Sequence, residues 1–113
     1  MAWFVTIGYG DSAGYEQTDG AVLEQAHAGD ERLRSGGALM GIAGPPVQVR
    51  NHDDGGVRVT EGAFMTAGLP IAGFAVVEAA DVQEAARLVS GSPCAVAQGV
   101  VEVWPLLSSA GPT

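Results

Sequence analysis

Residues 71–78 place Ala72, Phe74 and Val76 on one side of a period-two pattern and Gly73, Ala75 and Val77 on the other. Both sides are free of charge until Glu78. Residues 3–9 behave alike, with Trp3, Val5, Ile7 and Tyr9 on one side and Phe4, Thr6 and Gly8 on the other, and residues 99–104 give a third such strand. Strands apolar on both sides need cover on both sides. This requirement constrains the chain more than any other feature, because the sequence offers only two amphipathic helices to meet it.

The first of these helices starts at Thr18 or Asp19, either of which can cap it. Val22, Ala26, Gly29 and Leu33 then follow one line along the helix until Gly36-Gly37 stop it. Gly29 costs about 1 kcal/mol relative to Ala in mid-helix, which points to a close packing partner. The second helix opens with the capping box Asp81-x-x-Glu84 and carries Val82, Ala85, Ala86 and Val89 as far as Ser90-Gly91-Ser92-Pro93. Residues 38–43 read as a short buried strand. Beyond Pro45-Pro46, Val47 and Val49 alternate with polar residues, as do Val57 and Val59. A hairpin that keeps all four valines on one face pairs Val49 with Val59 through an Asp53-Asp54-Gly55 loop, with Gly55 in the left-handed conformation. That register also sets Arg50 opposite Arg58, a repulsive pair unless something intervenes.

The order strand, helix, strand, hairpin, strand, helix, strand predicts an α+β, ferredoxin-like βαββαβ fold with an inserted hairpin at about residues 46–61. At 113 residues the chain is expected to be one domain over residues 1–107, with residues 108–113 a flexible tail. Two helices cover only one sheet face, so a second copy of the chain is expected to cover the other, giving a homodimer. The formal charge of −8 has the wrong sign for holding a nucleic-acid backbone. The longest uncharged stretch, residues 62–77, is broken by Gly and Pro and falls short of the ~20 apolar residues that cross a bilayer, so no membrane association is expected. The N-terminus lacks a basic signal-type region, and Cys94 is the only cysteine. A cytoplasmic protein is therefore expected.

In order along the chain come Tyr9-Gly10-Asp11, the helix bearing His27 and ending Leu33-Arg34-Ser35-Gly36-Gly37, the segment Pro46-Val47-Gln48-Val49-Arg50, and Glu61-Gly62-Ala63-Phe64. Together they resemble the YCII-related proteins, in particular the branch named for a DGPF motif. The resemblance covers nearly the whole chain and implies a dimeric α/β barrel of ferredoxin-like fold. It also implies a His–Asp catalytic pair, matched here by His27 and Asp11. The sequence departs from the branch where Glu61-Gly62-Ala63-Phe64 replaces Asp-Gly-Pro-Phe, and where residues 65–71 replace a charged run that includes a Lys. A less polar ligand is expected in consequence.

On the residues alone, His27 sits at the edge of the helix stripe, with Asp30 at i+3 and Arg34 at i+7. It is either part of a surface charge network or, oriented by a carboxylate, a general base. Only the resemblance selects Asp11 over Asp30 as that carboxylate. Glu61 either emerges at the sheet rim or is a carboxylate of raised pKa in an apolar cavity, and it is the further catalytic candidate. Arg50 and Arg58 are a candidate anion clamp, or else are engaged by neighbouring acidic side chains. Tyr9, Phe64, Met65, Phe74 and Trp104 are candidate pocket residues with Arg50, or else plain core. Cys94 has no cationic neighbour in sequence and reads as unreactive. No His or Cys spacing matches a metal site, and Gly8-Tyr9-Gly10 leads to no phosphate-binding loop, so neither metal nor cofactor is expected. These readings predict a small cofactor-independent enzyme that uses a His–Asp pair for isomerisation, elimination or cyclisation of a small, fairly apolar metabolite. The alternative is a non-catalytic small-molecule-binding or regulatory module of the same fold.

Overall fold

The alternating stretch at the N-terminus forms β1 (Ala2–Tyr9), the central strand on which the rest assembles. In the computed structural model, which describes residues 1–107, it is followed by α1 (Ser12–Glu16), α2 (Gly20–Ser35), β2 (Leu39–Ile42), β3 (Val47–Arg50), β4 (Arg58–Glu61), β5 (Ile71–Ala79), α3 (Val82–Val89), α4 (Pro93–Val96) and β6 (Val100–Leu106). Strands β2, β5, β1 and β6 lie in that order in one sheet, and every neighbouring pair is antiparallel. This mixed α+β arrangement is compatible with a ferredoxin-like fold. Residues 108–113, expected as a tail, lie outside the described residues.

Register divides the sheet into two faces. Phe4 pairs with Val77 and Thr6 with Ala75, and these four point toward the helices, where they are buried with Ala79 and Ala85. The Thr6 hydroxyl satisfies itself on the Ala75 carbonyl oxygen at 3.0 Å, so its burial leaves no polar group unpaired. The core is made of small residues. Val77 is its largest side chain buried essentially without exposure, and Ala26, Ala75, Ala79, Ala85 and Ala97 supply much of the remainder. The opposite face carries Trp3, Val5, Ile7, Phe74, Val76 and Trp104, side by side across β1, β5 and β6.

The helix ends follow their caps. The Asp19 carboxylate accepts from the Ala21 amide and starts α2. At α3 half of the expected box forms: Asp81 accepts from the Glu84 amide at 2.8 Å, whereas Glu84 reaches past the cap residue and accepts from the Ala80 amide. Two short helices escape the pattern because each is under two turns and has no apolar period of its own. Asp11 caps α1 through the Gly14 amide at 3.0 Å, and Pro93 at the first turn starts α4.

The β3–β4 ladder forms a separate two-stranded sheet with Val49 opposite Val59 and Arg50 opposite Arg58, the register that the valine alternation requires. The turn differs from expectation. Pairing ends at Arg50 and Arg58, a 3-10 turn occupies His52–Asp54, and the left-handed residues are Asp53 (φ 58°) and Asp54 (φ 56°), while Gly55 has φ −90°. Asp tolerates that conformation better than most non-glycine residues. The Arg50 guanidinium avoids Arg58 by donating to Gln48 Oε1 at 2.7 Å and lying 5.8 Å from the centre of the Phe64 ring. A second correction concerns β2. As the sheet edge it is not a buried strand: Leu39 is 75% and Ile42 93% exposed.

Candidate functional site

Ala26 is buried beneath α2, and this fixes the rotation of the helix. His27, Asp30 and Arg34, on a neighbouring strip at i+3 and i+4 spacing, are thereby turned toward the sheet end where β2 and β5 run past α1 and α4. A cavity of about 470 Å³ opens there. Its polar lining includes Tyr15, His27, Asp30, Arg34, Ser92 and Cys94, and its apolar lining includes Met40 and Val89. The short α4 reaches the sheet because Gly8 has no side chain. A Cβ at that position would stand 2.8 Å from Cys94 Sγ, so any larger residue would push the thiol off the strand.

The charges in this cavity act on one another. Burial pushes the Asp30 carboxyl above its ordinary value, and the positive charges of His27 and then Arg34 partly oppose that shift. Burial raises the Cys94 thiol, and the Asp30 charge raises it further. The Tyr15 phenol is raised by burial and by the charges of Cys94 and Asp30. Both groups therefore hold their protons at neutral pH and can donate hydrogen bonds. Arg34 donates to Glu31 Oε2 at 2.7 Å in the one ion pair found among the described residues. Ser92 Oγ is buried and has no hydrogen-bond partner.

The candidate residues fall into separate groups. Asp11 is engaged as the α1 cap and does not line the cavity, whereas Asp30 lines it beside His27. Phe74 adjoins the same cavity at its place on β5 between Gly73 and Ala75, but its side chain belongs to the opposite face of the sheet. Arg50, Phe64 and Met65 meet in a different cavity of about 410 Å³ at the foot of the hairpin. Glu61 is exposed at the end of β4, opposite Val47, and lines neither cavity. Tyr9 donates to Glu102 Oε1 at 3.0 Å, with Met65 Sδ a weaker partner at 4.0 Å. Its phenol is raised by desolvation and by the bond to and charge of Glu102. Tyr15, Ser92 and Cys94 were not foreseen as site residues. The only sequence signals for them were the Pro93 helix start and the small residues at Gly8 and Gly10 that admit Cys94 to the strand.

Among the described residues no three His, Cys, Asp or Glu side chains gather as metal ligands, and no helix is long and apolar enough to cross a membrane. The antiparallel sheet with its helix layer, opening a cavity beside a helix-borne histidine, defines a small α+β domain compatible with a ferredoxin-like fold. Residues 2–108 match the YCII-related domain, and the chain belongs to that family. No curated protein matches it.

Proposed function

We propose that this chain is a cofactor-independent enzyme in which His27 moves a proton on a small, largely apolar carbonyl compound, and that Asp30 is its carboxylate partner. The observation that carries this reading is the convergence of Tyr15, His27, Asp30 and Cys94 on one cavity of about 470 Å³. Such a volume suits a metabolite of modest size. The chemistry follows from the protonation states. An imidazole removes a proton from the carbon next to the carbonyl, and the electron pair moves onto the carbonyl oxygen. Tyr15, Cys94 and Ser92 are the donors available to that oxygen. Asp30 stabilises the imidazolium through charge, and return of the proton at another position completes an isomerisation, elimination or cyclisation. Asp11 retains its resemblance to the family's catalytic aspartate. Its bond to the Gly14 amide nevertheless supports a role in holding α1, and thus Tyr15, in place.

The assignment extends to the assembly and the branch. Gly62 and Phe64, the two positions that keep the motif, support placement in the DGPF branch, and the apolar sheet face supports a homodimer that closes into an α/β barrel. The unpaired Cys94 supports a cytoplasmic location.

The test uses deuterium exchange at the carbon beside the carbonyl of acetophenone and cyclohexanone, followed by proton NMR in heavy water. Wild-type protein is expected to accelerate exchange, and His27→Ala should lower the rate roughly 10²–10⁴-fold with the fold intact by circular dichroism. Asp30→Asn should lower it less, and Asp11→Asn should leave it near wild type, because Asn caps a helix about as well as Asp. An unchanged rate in His27→Ala would leave the non-catalytic binding module as the better reading.

A further inference from the structure

On the outer side of the helix layer, α2 and α3 enclose a groove of about 520 Å³ that the proposed chemistry does not use. It is lined by Arg32 and Arg87 and by no carboxylate, in a chain with thirteen acidic residues and a net charge of −8. Neither guanidinium has a hydrogen-bond or ion-pair partner among the described residues. Arg34 and Arg50, by contrast, are both engaged by neighbouring side chains. Gly29 lies in the groove wall, where a Cβ placed on it would come 3.6 Å from Arg32 Nη2 and 3.8 Å from the Gly91 carbonyl oxygen, so the helix backbone there stands directly beside the guanidinium. Ser92 adds an unpartnered polar group that this groove shares with the His27 cavity. It stands at the start of α4, where a serine hydroxyl ordinarily accepts from a helix amide, yet its side chain makes no cap bond and its buried Oγ has no partner. Ser92 belongs to the lining of this groove as well as to that of the His27 cavity. The remaining wall combines the polar Gln25 and Ser90 with an apolar part from Val22, Leu33, Leu88 and Val96.

We propose that the α2/α3 groove binds a small organic acid, its carboxylate held by Arg32 and Arg87 and its apolar body lying on the valine and leucine wall. Two guanidinium groups without partners match the planar carboxylate, and the absence of acidic neighbours in the groove removes the repulsion that the rest of the surface would impose. The wall excludes a bare anion as the best ligand, because a bare anion would leave that apolar surface wet. The site lies on the helix side of the sheet, away from the face assigned to dimerisation, and its occupancy does not depend on the reaction proposed for His27.

The experiment titrates the full chain with octanoate kept below its micelle concentration, with 1-octanol and with inorganic phosphate, followed by amide chemical shifts and calorimetry. Octanoate is expected to shift Gly29 and Gly91 and to bind more tightly than either control. The double variant Arg32→Gln/Arg87→Gln should weaken it by about tenfold or more, while Arg34→Gln, whose partner is Glu31, should leave it unchanged. Rising salt should weaken octanoate and leave octanol unaffected. Equal binding of octanol, equal binding of phosphate, an unchanged affinity in the double variant, or shifts centred on Trp104 in place of Gly29 would each overturn the proposal. Exchange activity toward acetophenone, measured in the same double variant, separates this site from the His27 reading, since it is expected to persist.

Discussion

The two faces of the four-stranded sheet are built from the same strands and have opposite characters. Phe4 and Val77, facing the helices, are 3% and 2% exposed, whereas Trp3, Phe74 and Trp104, one residue away along the same strands or their neighbour, are 45–53% exposed. The covered face is largely alanine and valine, so the helices sit close and the core is thin. The open face holds both tryptophans of the chain. Ile7 is the exception on the open face, at 7%. Burial stabilises by about 25 cal/mol per Å² of apolar surface, so the exposed aromatics of that face are what the proposed homodimer would gain by covering.

The largest effect is expected from a charge at the centre of the open face. Trp104→Asp should convert the proposed homodimer to an 11.4 kDa monomer by light scattering, because an unpaired carboxylate cannot be buried against a second apolar sheet. A wild-type protein that already scatters as 11.4 kDa at micromolar concentration would break the comparison. On the covered face, Phe4→Ala should cost about 3–5 kcal/mol in urea unfolding through loss of contacts and a residual cavity. Made in the Trp104→Asp background, Trp3→Ala should cost no more than about 0.5 kcal/mol, the usual range for a surface change. Similar losses for the two aromatic truncations in that background would mean that the faces do not differ as described.

The alternation at residues 3–9 and 71–78 and the capping box at Asp81 were legible because each is a local rule: a side chain's face follows from its parity, and a cap from one side chain and one amide. The hairpin register was legible for the same reason. What sequence could not give was position relative to distant elements. Residues 38–43 look like a buried strand, yet whether they lie at the centre or the edge depends on sheet order, which no local pattern records. Helices α1 and α4 are too short to show a period. The cavity suffers most, since Tyr15, Asp30, Ser92 and Cys94 come from three helices and meet only once the sheet has set their spacing. The resemblance pointed to Asp11, whose residue type suits a base partner and a helix cap equally well.

The smallest expected effect concerns the titration of the covered side. Burial raises the folded-state pKa of Asp30 above its ordinary 3.8, and the charges of His27 and Arg34 only partly oppose this. The folded protein therefore binds this proton more tightly than the unfolded chain does. Stability falls as pH rises from 3.8 through the raised folded value, and the full loss is present above it. Asp30→Asn removes the charge that burial penalises. It should be neutral at about pH 3, where wild-type Asp30 is protonated in both states, and should raise the urea midpoint relative to wild type at about pH 7. If Asp30→Asn lowered the midpoint at neutral pH and not in acid, the attraction of His27 and Arg34 would exceed the burial cost. The covered side would then be holding an ion network at its rim, and the contrast with the open face would be one of charge as well as of packing.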